Sequence, residues 1–236
     1  HRRRGQHRSG DGGCRSMNPL TEETRASMVG ITHRYPDKRS AIMPLLHLAQ
    51  SVQDEVTTEG IQMCAEVLDL TTAEVNAVAT FYTMYKRSPV GKHHIGICTN
   101  TLCALLGGDA VYDAVSERLG AGHNQTDVDG TFWLERIECQ AACTHAPVMT
   151  VDWEFMDCQT PASAVDVIDR LARGETVVST RGPAIRDFQA TEHTLAFPDD
   201  GLAGEGGEAD DIMRAGLIVA KERGMSAPPA PAGSPS

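Results

Sequence analysis

Four cysteines constrain this chain more than any other feature. Cys98 and Cys103 lie in "GICTNTLCALLGG", Cys139 and Cys143 in "IECQAACTHAPVMTV", and the pairs enclose four and three residues. Each pair begins where a predicted strand ends: "KHHIGIC" stops at Cys98, and the alternating "TFWLERIEC" stops at Cys139. Two loops leaving the same edge of one sheet bring such pairs together, although 35 residues separate Cys103 from Cys139. Neither pair has the two-residue gap of a zinc knuckle or a redox dithiol. Four thiolates satisfy a [2Fe-2S] centre with two per iron. A structural zinc ion also accepts four thiolates, and unligated structural cysteines are a third reading, so spacing alone leaves all three open.

The neighbouring residues favour the cluster. Thr99, Thr101 and Thr144 bring small hydroxyls toward sulfur, where hydrogen bonds stabilise the charge of ligated thiolate; ordinary turn chemistry explains the same threonines. The remaining cysteines read differently. Cys64 sits in an apolar helical stripe and Cys158 follows a predicted hairpin, so both are expected to be packing residues; Cys14 lies near the N-terminus.

Between Met17 and about Ser88 the periodicity is helical. Ile42, Leu45, Leu46 and Ala49 form one stripe, Ile61, Cys64, Ala65 and Leu68 another, and a third helix starts at the capping-box pair Thr71 and Glu74. Short connections predict a small antiparallel bundle. Beyond Pro89 the pattern changes to strands and helices in the order β-α-β-β-β-α or close to it. Asp109–Leu119 is a predicted helix ending at Gly120, "APVMTV" and "EFMDC" form a hairpin about Asp152, and Thr160-Pro161 opens a last helix ending at Gly174. The expected fold class is α+β, a helical bundle at 17–88 followed by a small mixed sheet with packed helices at 89–182. Residues 1–16, with five arginines and one acid, read as a disordered leader. Residues 183–236 read as an acidic, Gly/Pro-rich tail that buries too little to order itself, with a short helix about Asp211–Arg223.

The net charge of -11 argues against nucleic acid as a partner, and no apolar run approaches the ~18 residues needed to insert in a bilayer. Seven cysteines at uneven spacing do not suggest a secreted disulfide framework. No strand–Gly-rich turn–helix pattern with a downstream acid marks a nucleotide site, and "LLGGDA" is too weak to count. "HRYPDKRSA" and the pair His93-His94 read as exposed polar residues rather than as metal or catalytic groups.

Taken in order, "IMPLLHLAQ", "VATFYTMY", "PVGKHHIGICTNTLC" and "ECQAACTHAPVMTV" resemble the thioredoxin-like [2Fe-2S] ferredoxin family. Within it the likeness is to the small cluster-bearing, E-type subunits of the NADH-oxidising module of respiratory complex I, over roughly Leu20 to Gly182. The resemblance implies a thioredoxin-like ferredoxin domain with one [2Fe-2S] cluster on Cys98, Cys103, Cys139 and Cys143. It implies an electron-transfer role in an NADH:quinone oxidoreductase, with FMN and NADH on a neighbouring flavoprotein subunit and other peripheral-arm subunits as partners. The expected location is the cytoplasmic face of a bacterial inner membrane, or the mitochondrial matrix in a eukaryote, without direct insertion. The equivalent subunit of an NAD-linked hydrogenase or formate dehydrogenase would look the same, and a zinc-stabilised adaptor is the reading from a different class. Hydride chemistry belongs to the partner, and the helical front is expected to dock it, with "TFYTMY" supplying large side chains. Two departures stand out: Leu102 where many relatives have Pro, and Ala141 where many have Gly. If position 141 needs positive φ, Ala there costs on the order of 1 kcal/mol.

Overall fold

The computed structural model describes residues 18–198, 201, 204, 206, 207 and 209–226; the expected leader at 1–16, with Cys14, lies outside them. The chain divides between Pro89 and Val90 into two compact units.

The first unit is helical, with α1 (Glu22–Thr32), α2 (Ile42–Gln53), α3 (Thr58–Leu68) and α4 (Thr72–Phe81). Threonines set three of the four starts. Thr21 and Thr71 form reciprocal capping boxes with Thr24 and Glu74, and Thr57 accepts from the Gly60 N–H. Leu45, Leu46, Ala49, Cys64, Leu68, Val75 and Ala79 are buried, as the stripes require. Burial pushes the Cys64 thiol up to about 12, which leaves it an inert packing group. α1 is one helix more than the three expected. Only Met28, Ile31 and Thr32 of it are buried, too few to print a stripe in the sequence.

The second unit is a five-stranded mixed sheet in the order β2-β3-β1-β4-β5. Its strands are β1 (His93–Cys98), β2 (Gln125–Thr126), β3 (Phe132–Ile137), β4 (Met149–Val151) and β5 (Glu154–Met156). β1 and β3 are parallel, with Cys98 opposite Ile137; the other pairings are antiparallel. The β1–β3 crossover carries α5 (Thr101–Leu105) and α6 (Gly108–Leu119), and α7 (Pro161–Ala172) follows the β4–β5 hairpin. Ile95, Ile97, Phe132, Leu134, Met149 and Val151 point to one face and pack with Val111 and Val115 of α6 and Ile168 of α7. Period-2 alternation sends Trp133 to the opposite face.

The structure corrects two expectations in this unit. The segment from Pro183 is not a featureless tail at its start: α8 (Phe188–Ala196) puts Phe188, fully buried, against Val90 and Trp133. The apolar residues that make this possible are Phe188 and Ala196, two positions that composition over the whole segment dilutes. His93 and His94 are not exposed either; both are buried in β1. His93 Nδ1 donates to Asp152 Oδ2 (2.6 Å), His94 Nε2 donates to Glu135 Oε2 (2.7 Å), and the His94 N–H donates to Asp152 Oδ1 (2.7 Å). A buried polar side chain needs such a partner, and here both partners lie on other strands or turns, out of reach of local sequence inspection. Asp152 and Trp153 form the two-residue β4–β5 turn, each with positive φ. The expected C-terminal helix is present as α9 (Asp211–Glu222), capped by Asp210.

Candidate metal centre

β1 delivers Cys98 to the sheet edge, and α5 turns back at once with Cys103; both residues are buried. With Ala142 and Val148 they make a small apolar cluster, against which Ile137, Ala146 and Phe155 pack. Asn100 ties the two halves of the site together. Its amide donates to the carbonyl of Ile137 at the end of β3 (3.1 Å) and approaches Cys98 Sγ at 3.9 Å. Gly108 opens α6 so close to the first pair that a Cβ would lie 2.7 Å from the Cys98 carbonyl oxygen and 2.9 Å from that of Cys103.

Beyond β3 the chain reaches Cys139, turns at Ala141 (φ 55°) and enters a single 3-10 turn, Cys143–His145. Cys139 and Cys143 are exposed, with their sulfurs 3.7 Å apart. That is one edge of a tetrahedron of thiolates: at a metal–sulfur distance of ~2.3 Å the edge is about 3.8 Å. Ala141 occupies the left-handed conformation that its substitution for Gly put in question.

The four thiols lie within electrostatic reach of one another. Burial, most of all, pushes the Cys103 thiol up to about 11; the neighbouring Cys98 and Cys143 add to this, while the Val148 N–H works against it. The Cys143 thiol is raised chiefly by its hydrogen bond with Cys139, then by the charge of Cys139, with Cys98 contributing. Four thiolates so placed repel, and a bound cationic centre relieves the repulsion as the protons leave. Among the described residues no three His, Cys, Asp or Glu side chains gather around a single point as one ion would need.

Three residues near the sulfurs differ from expectation. The Thr144 hydroxyl meets His145 Nδ1 (2.9 Å) rather than sulfur, and Asn100, not singled out in the sequence, provides the amide near Cys98. Cys158 is exposed at φ 53°, not packed; its N–H donates to the His145 carbonyl (2.8 Å) and so braces the second loop through the backbone. Gly108 was likewise missed, although the Gly-Gly doublet after the first pair is a visible sign of a close backbone approach. Around Cys103, Leu102, Leu105 and Leu106 are exposed, giving the site an apolar rim.

The family model for thioredoxin-like [2Fe-2S] ferredoxins matches residues 28–172, spanning both cysteine loops. The chain belongs to this family. A relative from Mycobacterium tuberculosis, named as the E subunit of NADH-quinone oxidoreductase, is 48% identical over 206 residues, 85% of this chain and 80% of the relative. NADH-quinone oxidoreductase subunit 2 of Thermus thermophilus is 34% identical over 145 residues, 60% of this chain and 80% of its own length. Among solved structures, a chain of an NAD+-reducing [NiFe]-hydrogenase aligns with TM-score 0.51 at 16% identity, covering 56% of this chain and 23% of that one. That likeness is one of fold. Among the described residues no helix is long and apolar enough to cross a membrane.

Proposed function

We infer that this chain is the electron-transfer subunit of an NADH:quinone oxidoreductase, with Cys98, Cys103, Cys139 and Cys143 holding one [2Fe-2S] cluster. The observation that carries the reading is the pairing of thiols at one sheet edge, with Cys139 and Cys143 spaced as one tetrahedral edge. When bound, such a cluster supplies one-electron redox chemistry. The protein's own part is to hold four soft ligands in place, shield Cys98 and Cys103 from water and leave Cys139 and Cys143 at the surface. That exposed pair is where a redox neighbour would approach, which we take to be an FMN- and NADH-binding flavoprotein subunit on the cytoplasmic side of the membrane. The relatives at 48% identity favour the quinone-linked complex over the hydrogenase alternative.

The helical unit serves, on this reading, to dock the flavoprotein. Phe81 is 77% exposed and meets Tyr82 edge-on at 5.0 Å, an aromatic pair of the kind enriched at interface cores. Tyr85, in contrast, is buried and donates its hydroxyl to the Met43 carbonyl (3.1 Å), so it belongs to the fold of the unit.

The test is a set of cysteine-to-serine variants of the full chain, read by iron and sulfide content and visible absorption. Cys139→Ser or Cys143→Ser should abolish or markedly destabilise the cluster, because a hard hydroxyl replaces a soft thiolate. Cys64→Ser and Cys158→Ser should retain it. A chain bleached by Cys158→Ser but not by Cys143→Ser would overturn the ligand assignment.

A further inference from the structure

The C-terminal helix starts on the cluster loop. Asp210 is the N-cap of α9, and its Oδ1 accepts the Met213 N–H at 2.8 Å. Its other oxygen, Oδ2, accepts from His145 Nε2 at 2.7 Å. With Nε2 donating, His145 Nδ1 is left to accept from the Thr144 hydroxyl. His145 is the last residue of the 3-10 turn that begins at Cys143 and is itself buried. One carboxylate therefore closes the first turn of a helix and, 65 residues away in sequence, fixes the ring that ends the second ligand loop.

A second strap runs beside the first. The Gly207 N–H donates to the Arg181 carbonyl (2.7 Å), and the Arg181 guanidinium pairs through two nitrogens with both oxygens of Asp157 (2.9 and 3.0 Å). Arg181 also lies over the Phe155 ring at 3.9 Å, and Phe155 packs on the apolar cluster of Cys98, Cys103, Ala142 and Val148. Asp210 is thus tied to the Cys143 loop, and Gly207 to Arg181, whose guanidinium covers the Phe155 ring that packs on the Cys98–Cys103 cluster.

We propose that Asp210 and His145 are a positioning pair for the cluster, so that the C-terminal segment latches the Cys139–Cys143 loop and sets the surroundings of its sulfurs. The proposal rests on the reading of these cysteines as cluster ligands. The physical reason is that both loop cysteines are exposed and Ala141 lies in a conformation that L-residues disfavour. Such a loop is the part of the site most in need of an external tether. A charge-assisted hydrogen bond from outside the loop supplies one.

The decisive variants separate latching from capping. Asp210→Ser keeps a good N-cap for α9 but is too short to serve His145 as well. His145→Ala removes the other partner, and His145→Gln keeps a donor. In the full chain with its cluster, both Asp210→Ser and His145→Ala should shift the midpoint potential and the electron paramagnetic resonance line shape of the reduced state. Both should also speed iron release to a chelator by on the order of tenfold, about the value of one hydrogen bond to a charged group. The double variant should do no more than either single one, since both remove the same contact. His145→Gln should restore part of the loss. Arg214→Ala, which removes only the pair with Asp211 on α9, should leave every readout at the wild-type value. Wild-type potential, line shape and release in both single variants would overturn the latch, as would additive effects in the double variant. If the wild-type chain itself carried no [2Fe-2S] signal, the ligand reading would fall, and the latch with it.

Discussion

Replacing Gly108 by Ala should empty the site without touching a ligand. A Cβ at this position would sit 2.7 Å from the carbonyl oxygen of Cys98 and 2.9 Å from that of Cys103, whereas ordinary contact begins near 3.4 Å. Relief along the shorter contact requires about 0.7 Å of movement. Neither obstacle is the tip of a flexible side chain; both are main-chain atoms of the residues that present the buried sulfurs. Metal–thiolate distances hold to within ~0.2 Å, so a shift of that size in one ligand backbone exceeds what the centre can absorb. In the metal-free chain, overpacking of this kind costs roughly 1–3 kcal/mol. The assay is reconstitution of the purified full chain with iron and sulfide, followed by iron content, visible absorption and urea unfolding of the metal-free form. Gly108→Ala should lose most of its iron and unfold at lower urea. Gly107→Ala is the matched control: its φ of +107° strains an alanine, but no atom lies within 4 Å of the new methyl group. It should lose stability while keeping its iron. Full iron content and a wild-type spectrum in Gly108→Ala would refute the argument that backbone proximity at this glycine sets the geometry of the first pair.

Ala141→Gly should stabilise the second loop by on the order of 1 kcal/mol, since φ 55° is disfavoured for Ala and free for Gly, less the entropy glycine loses on folding; a lower urea midpoint in the variant would contradict this. Asp152 should carry a pH signature. Burial above all pushes its carboxyl up to about 6, against the pull of His93 and the His94 N–H, so its contribution to stability is full below about 3.8 and is lost as pH rises through about 6. Relative to Asp152→Asn, the metal-free wild type should therefore lose roughly 3 kcal/mol across that window, and parallel stability–pH curves would show the premise to be wrong. Phe81→Ser should alter the stability of the subunit by less than about 0.5 kcal/mol, as expected for an exposed side chain, yet weaken binding to the flavoprotein partner at least tenfold. Unchanged affinity by calorimetry would remove the aromatic pair from the interface.

What could be read in advance followed the physics of local signals. Cys98 ends β1 and Cys139 follows β3 by two residues, so the placement of each pair just after a strand was legible from neighbouring residues. The same holds for the capping box at Thr71 and Glu74, the Thr160-Pro161 start of α7 and the left-handed glycines that end α6 and α7. Several of the misses depend on partners distant in sequence. His93 and His94 look like surface polar residues until Asp152 and Glu135 arrive from 59 and 41 residues away. Phe188 is one aromatic in a polar stretch, and it acquires a core only by packing with Val90 and Trp133. Cys158 was assigned to packing by its type, but a turn with positive φ turns it outward. Asn100 carried no pattern at all, because its role is to bridge two strands whose adjacency is a property of the sheet.

The parallel register of β1 on β3 has a consequence for how the protein matures. Cys98 faces Ile137 across the ladder, two residues before Cys139, and Asn100 spans the same gap. Each step along a strand is about 3.3 Å, and a slip of one residue also turns every side chain to the other face. A chain that pairs these strands one step out would part the buried thiols from the exposed ones and bury the wrong face of β3. It would then be unable to hold iron, however sound its helices. With the proposed ligand set, metal loading would report on strand registration: iron would be held only where the two-helix crossover has closed in the correct frame.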